Sequence, residues 1–96
     1  MNNLDRNLKG IEFEKLGKVA EAIELYEKNI EDNFEGNHPY DRLAIIYRKN
    51  KDIINEIRVL EKAIYVFEDI VYIQRSDRLP KLGRFKIRLE QAKLLL

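Results

Sequence analysis

The sequence predicts an all-α fold in which two helix–turn–helix hairpins are followed by an amphipathic C-terminal helix. Apolar residues recur at intervals of three or four along most of the chain, which is typical of helices that bury one face. The chain has 96 residues, of which 45% are hydrophobic and 36% are charged, as expected for one small domain of two-sided helices. Two prolines and four glycines are too few for the turns of an all-β protein.

The first hairpin is predicted from two periodic segments. Leu4, Leu8, Ile11 and Leu16 mark a helix over residues 4–17, and Gly17 is a stop signal at its end. The segment 19–31, VAEAIELYEKNIE, has the same spacing and predicts the second helix. The following segment EDNFEGNHP is rich in turn-forming residues and is the longest predicted loop.

The second hairpin begins at Pro39, because proline is tolerated in the first turn of a helix, where its missing N–H costs nothing. Asn37 or His38 is expected to cap that helix, and Asp52 to cap the next one. From Ile53 the apolar spacing predicts a helix that continues to about residue 74.

The last helix is predicted from Pro80 to Leu96. Its apolar residues form one stripe that is expected to cover the open edge of the second hairpin, so that the helix acts as a cap. The stripe consists of Leu82, Phe85, Leu89, Ala92 and Leu96.

The two hairpins repeat at an interval of 34 residues. This shift aligns Gly10 with Ala44 and Phe13 with Tyr47, so small residues coincide at an expected close helix crossing and aromatic residues coincide one turn later. A helix–turn–helix period of 34 residues resembles the tetratricopeptide repeat (TPR) family. The resemblance divides a single domain, 1–96, into repeat 1 at 3–36, repeat 2 at 37–70, and an extension with a capping helix at 71–96.

Several positions depart from the TPR pattern. Arg6 stands where the family favours a large aromatic residue, Asn29 where it favours alanine, and Lys51 where it favours the inter-helix glycine. Neither repeat ends in the family's proline. The resemblance still implies a concave groove lined by the first helix of each hairpin, which would hold a peptide or a helix of a protein partner. The implied partner-binding residues are Asn7, Ile11, Glu14, Lys15, Asp41, Ile45, Arg48 and Lys49.

We predict no enzyme, no catalytic residue, no metal site and no cofactor. His38 is the only histidine and has no cysteine or histidine partner for a metal. Ser76 is the only serine and has no base at a recognisable spacing, and the four glycines do not cluster into a phosphate-binding loop. Arg48 and Lys49 are instead expected to determine binding more than stability.

Charge is distributed unevenly along the chain. Residues 1–70 contain 11 Lys and Arg against 15 Asp and Glu, a net charge of −4, whereas residues 71–96 contain 7 against 2, a net charge of +5. Lys81, Arg84 and Arg88 form a basic patch on the last helix. The alternative interpretation is therefore a nucleic-acid-associated protein that uses this helix, although Phe85 lies on the buried stripe and leaves little aromatic surface for base stacking.

A third interpretation is a self-assembling structural protein. Ile87 and Leu94 lie a heptad apart on the side of the last helix opposite its stripe, and exposed there they favour association with a second copy as a homodimer. The chain has no cysteine, its first residues have no apolar leader core, and its most apolar stretch is too short to span a membrane. We therefore expect a cytoplasmic protein.

Overall fold

The computed structural model describes residues 1–96 and contains helices but no strand. Five α-helices follow in chain order: α1 (Asn3–Lys15), α2 (Val19–Glu31), α3 (His38–Lys49), α4 (Ile53–Tyr65) and α5 (Arg78–Lys93). A π-helical turn, Val66–Ile70, continues α4. The all-α prediction is confirmed. None of the helices combines the length and the apolar character needed to cross a membrane.

Each helix packs mainly against the next one in the chain, which places the two hairpins and α5 in a row. The molecule measures 35 × 33 × 18 Å, and its smallest dimension fits two layers of helices. One continuous core runs from α2 through the second hairpin to α5. Its largest fully buried side chains are Tyr26, Tyr40, Phe67 and Phe85.

The helix–helix turns of the two hairpins have the same backbone conformation at an interval of 34 residues. Gly17 and Lys51 both have positive φ, at 74° and 60°, and each follows the end of the first helix of its hairpin. The next residues, Lys18 and Asp52, both begin the following helix with nearly equal φ and ψ angles. The sequence period is therefore also a period of the backbone.

Two predicted helix boundaries are wrong. The helix after Ile53 does not reach residue 74, because the chain widens into a π turn, where the Val71 amide donates to the Val66 carbonyl at 2.9 Å. Val71 is then extended, and this bend leaves Val66, Phe67 and Val71 all buried. At the other end, α5 begins at Arg78 and stops at Lys93, so Leu96 lies outside the helix and is 74% exposed rather than part of the stripe.

The N-caps predicted for α4 and α3 differ in whether the side chain makes a capping hydrogen bond. The Asp52 side chain accepts a hydrogen bond from the Asn55 amide at 3.2 Å, which confirms it as the cap of α4. Asn37 precedes α3, but its side chain donates to the Asp41 carboxylate instead of capping a backbone amide. Asn37 therefore occupies the predicted N-cap position of α3, but its side chain makes no capping hydrogen bond. Pro39 does lie in the first turn of α3, as predicted.

Candidate functional site

A groove of about 560 Å³ lies between the first hairpin and α3. Its apolar part comes from the start of α2 and from the exposed side of α3. Its polar part includes an ion pair between α1 and α3. The lining residues are Glu14, Val19, Ala20, Ile23, Arg42, Ile45, Ile46, Lys49 and Asn50.

The polar wall of this groove is fixed by an ion pair. The Arg42 guanidinium donates to both carboxylate oxygens of Glu14, with its shortest contact at 2.6 Å. The Tyr26 hydroxyl donates to the same carboxylate at 2.7 Å. Burial acts to raise the pKa of Glu14, but the hydrogen bonds from Arg42 and Tyr26 outweigh it and the pKa is lowered. Glu14 therefore stays ionised and holds α1 to α3.

Three of the predicted partner-binding residues lie together in this groove: Glu14, Ile45 and Lys49. Ile45 is 47% exposed, and Lys49 is exposed as well. Ile11 and Lys15 do not line the groove; Ile11 is half-buried and Lys15 is exposed, on the same helix as Glu14.

The other three predicted residues hold the fold together. Asn7 is buried, and its side-chain oxygen accepts a hydrogen bond at 2.8 Å from the fully buried Asn29. Asp41 pairs with Arg88 of α5. Arg48 donates to both carboxylate oxygens of Glu56, at 3.0 and 2.8 Å. Each of these contacts joins two helices of the array.

Arg48 has a structural role that the sequence did not indicate. Glu56 is a carboxylate in the interior, only 2% exposed, and Arg48 is its partner. The hydrogen bond to Glu56 raises the pKa of Arg48. The two residues also line a second, smaller cavity of about 130 Å³ between α3, α4 and α5, in which Ile45 takes part. Ile45 therefore lies between the two cavities.

Two departures from the TPR pattern contact each other. The side-chain amide of Asn29 donates to the Asn3 carbonyl at 2.9 Å, and the guanidinium of Arg6 lies 3.5 Å from the side-chain oxygen of Asn29. Arg6 also pairs with Asp32 at 2.8 Å. A polar cluster thus joins α1 to α2 at the two positions where the TPR pattern favours an aromatic residue and an alanine.

The predicted basic patch is mostly neutralised by neighbouring carboxylates. Lys81 pairs with Asp77 at 2.7 Å, and Arg88 pairs with Asp41. Lys81 and Arg75 hold the pKa of Asp77 at about 2, so this carboxylate stays charged beside them. Of the three residues of the patch, only Arg84 belongs to no ion pair, and it is exposed. The predicted self-association residues, Ile87 and Leu94, are 61% and 85% exposed.

Several residues that line the groove are not among the predicted binding residues. Val19, Ala20 and Ile23 lie in a segment that the sequence predicts only as a helix, and Arg42 has no predicted role. Leu4 and Leu8 are each 67% exposed, but they do not line the groove. No local pattern in the sequence identifies Arg42 as the partner of Glu14, because the two residues are far apart in the chain.

Among the described residues, no group of three or more His, Cys, Asp or Glu side chains is placed to hold a metal ion. No protein-family model, no curated protein and no solved structure matches this chain.

Proposed function

We propose that this chain is a protein-interaction module of the TPR type, which binds a peptide or a helix of another protein in the groove between its first hairpin and α3. The observation that carries the proposal is the apolar character of an open groove of about 560 Å³. Apolar grooves with a few fixed polar groups are the usual docking sites for peptide segments. The 34-residue period of sequence and backbone supports the TPR assignment.

Ile45 is the residue on which the proposed binding depends most, because its side chain is exposed in the groove. An isoleucine that is 47% exposed in the middle of a groove has no partner within its own chain for much of its surface. Burying that surface against a ligand would contribute about 25 cal/mol per Å². The neighbouring Glu14–Arg42 ion pair provides a fixed polar edge, which orients a ligand better than a mobile side chain does.

The test is affinity capture from the source cell with three forms of the protein. Ile45→Arg places a charge in the groove, and Ile54→Arg makes the same change at a position that is 69% exposed and does not line it. Proteins captured by the wild type and by Ile54→Arg should be lost with Ile45→Arg. Capture of the same proteins by all three forms would place the binding surface elsewhere.

The nucleic-acid alternative has less support than the groove. Two of the three cations on which it depends, Lys81 and Arg88, are already paired with carboxylates of the same chain. A nucleic-acid phosphate would have to compete with those carboxylates, and phosphate contacts supply most of non-specific affinity.

A further inference from the structure

The charges around the groove between the first hairpin and α3 are not balanced. Glu14 and Arg42 line it, but they neutralise each other through a contact of 2.6 Å. Lys49 also lines the groove and belongs to no ion pair. The only charge at the groove that remains free to meet a ligand is therefore a cation.

The residues next to the groove in the chain add to this imbalance. Lys15 follows Glu14 and Lys18 precedes Val19, so both lie beside lining residues, and both are exposed. Neither lysine takes part in an ion pair with a carboxylate of the chain.

By the same criterion Glu21 and Glu24, which follow Ala20 and Ile23, are exposed carboxylates outside any ion pair, and Lys51, which follows Asn50, is a further unpaired lysine. Four unpaired lysines against two unpaired carboxylates thus lie in or next to the groove, which leaves an excess of positive charge.

The apolar part of the groove sets the second requirement for a ligand. Val19 is 39% exposed and Ile45 is 47% exposed, and they lie on different helices that face the same space. A volume of about 560 Å³ lies within the range of pockets that enclose a bound group. It is large enough for the side chain of a leucine or a phenylalanine. Such a side chain would exclude water from both Ile45 and Val19.

We propose that the groove selects an acidic peptide segment, in which a large apolar side chain enters between Val19 and Ile45 while neighbouring carboxylates pair with Lys49, Lys15 and Lys18. This inference rests on the proposed function and names the chemistry of its partner. A basic segment would meet three like charges, which costs affinity and excludes wrong partners.

The test uses three matched fluorescein-labelled peptides of twelve residues. All three carry leucine at the same positions with helical spacing, and the remaining positions are filled by glutamate, by glutamine or by lysine. Fluorescence anisotropy with the full chain gives a dissociation constant for each peptide. The glutamate peptide should bind at least about tenfold more tightly than the lysine peptide, and its advantage should shrink as salt rises from about 50 to 500 mM.

Charge-reversal variants locate the effect. Lys49→Glu should weaken binding of the glutamate peptide about fivefold and strengthen binding of the lysine peptide. The matched control is Lys28→Glu, an exposed lysine of α2 that does not line the groove and belongs to no ion pair, and it should change neither constant by more than about twofold. Circular dichroism of each variant shows that the helices are retained.

The possible results of these experiments distinguish a failure of the acidic-peptide inference from a failure of the proposed function. Equal binding of all three peptides, lost in Ile45→Arg, would overturn the selection for acidic segments and leave the groove as a binding site. Equal effects of Lys49→Glu and Lys28→Glu would overturn the assignment of Lys49. Failure of the glutamate peptide to bind at all would overturn the inference, whereas protein capture that depends on Ile45 would still support the function.

Discussion

Gly10 is the residue at which the first hairpin is packed most closely. A Cβ atom at this position would lie 2.5 Å from Cε1 of Tyr26, much closer than two carbon atoms can approach. Tyr26 cannot move away easily, because its ring is fully buried and its hydroxyl is held by Glu14. The glycine is therefore required for the approach of α1 and α2.

Gly10→Ala should lower the free energy of unfolding by about 1–3 kcal/mol through overpacking. The matched control is Gly83→Ala in α5, where a Cβ atom would meet nothing within 4 Å. That change should stabilise the protein by about 0.5–1 kcal/mol, since alanine is the better helix former. Urea denaturation measures both values, and a Gly10→Ala variant that is as stable as the wild type would show that Gly10 has no special packing role.

His38 makes stability depend on pH. Its ring packs edge-on against Tyr26, with centroids 5.4 Å apart. Burial, the largest influence, lowers the pKa of His38; Arg42 acts in the same direction, while Glu14 and Asp41 oppose it. The unfolded chain therefore takes up this proton first as pH falls, so the stabilising contribution is complete above the unfolded pKa of about 6.5 and is lost below it.

We expect the free energy of unfolding to fall between about pH 7 and pH 5. Because His38 is the only histidine, His38→Gln should flatten this part of the profile. Urea denaturation at half-unit pH intervals measures the slope for both forms. An unchanged slope in His38→Gln would assign the pH dependence to carboxylates instead.

At the scale of the helical elements, the hairpin turns use the same conformation with different residues. The left-handed φ of 74° suits Gly17, whereas the φ of 60° at Lys51 is strained for a residue with a Cβ atom. Nothing lies within 4 Å of a Cβ atom at Gly17, so a substitution there changes backbone strain without a clash.

Lys51→Gly should raise the free energy of unfolding by up to about 1 kcal/mol, and Gly17→Ala should lower it by about 1 kcal/mol. The two changes are a matched pair at equivalent positions of the two hairpins. Thermal denaturation followed by circular dichroism measures both. Destabilisation by Lys51→Gly would mean that the lysine side chain has a contact that outweighs the strain.

The contact between α3 and α4 depends on the buried carboxylate of Glu56. Arg48→Met should destabilise the protein by about 1–3 kcal/mol, because it leaves that carboxylate without its partner. The side chain of Arg48 is 42% exposed, so water reaches the pair and the cost stays below that of a fully buried ion pair.

The double variant Arg48→Met and Glu56→Met should recover most of the lost stability, since it removes the charge together with its partner. Chemical denaturation of the two single variants and the double variant gives the coupling energy. Additive losses, with no recovery in the double variant, would contradict the role assigned to the pair.

At the scale of the whole molecule, apolar surface remains exposed on α5. Ile87 in α5 and Leu94, directly after its end, are 61% and 85% exposed, and repeat arrays need capping repeats with a polar outer face to stay soluble. The negative charge of residues 1–70 and the positive charge of residues 71–96 also complement each other between copies. We therefore keep the prediction that the chain self-associates through α5.

Sedimentation equilibrium at tens of micromolar should give a mass above that of the 11.5 kDa monomer. Ile87→Lys combined with Leu94→Lys should return the mass to that of the monomer, because both changes place charge on the proposed contact. A monomer mass for the wild type would remove the prediction. Association that survives both lysines would move the contact to another surface, such as Leu4 and Leu8 of α1.

The sequence by itself determined the five helices and their 34-residue period. Both are local properties, because the spacing of apolar residues and the turn conformation at Gly17 and Lys51 depend on neighbouring residues. The same local spacing failed after Tyr65, where the chain forms a π turn that contacts α5. Glu14, Ile45 and Lys49 were predicted as binding residues from the resemblance to the TPR family, not from the apolar spacing.

Only the tertiary structure decided which charges are free. Arg42 and Glu14 are 28 positions apart in the chain, and Arg88 and Asp41 are 47 apart. Whether such residues meet depends on how the hairpins stack, which no local spacing encodes. The stacking commits Asn7, Asp41 and Arg48 to contacts within the chain and leaves Lys49 beside an open apolar groove. A contact between distant residues depends on the whole fold, because every intervening turn and packing distance must place the two side chains within a few ångströms.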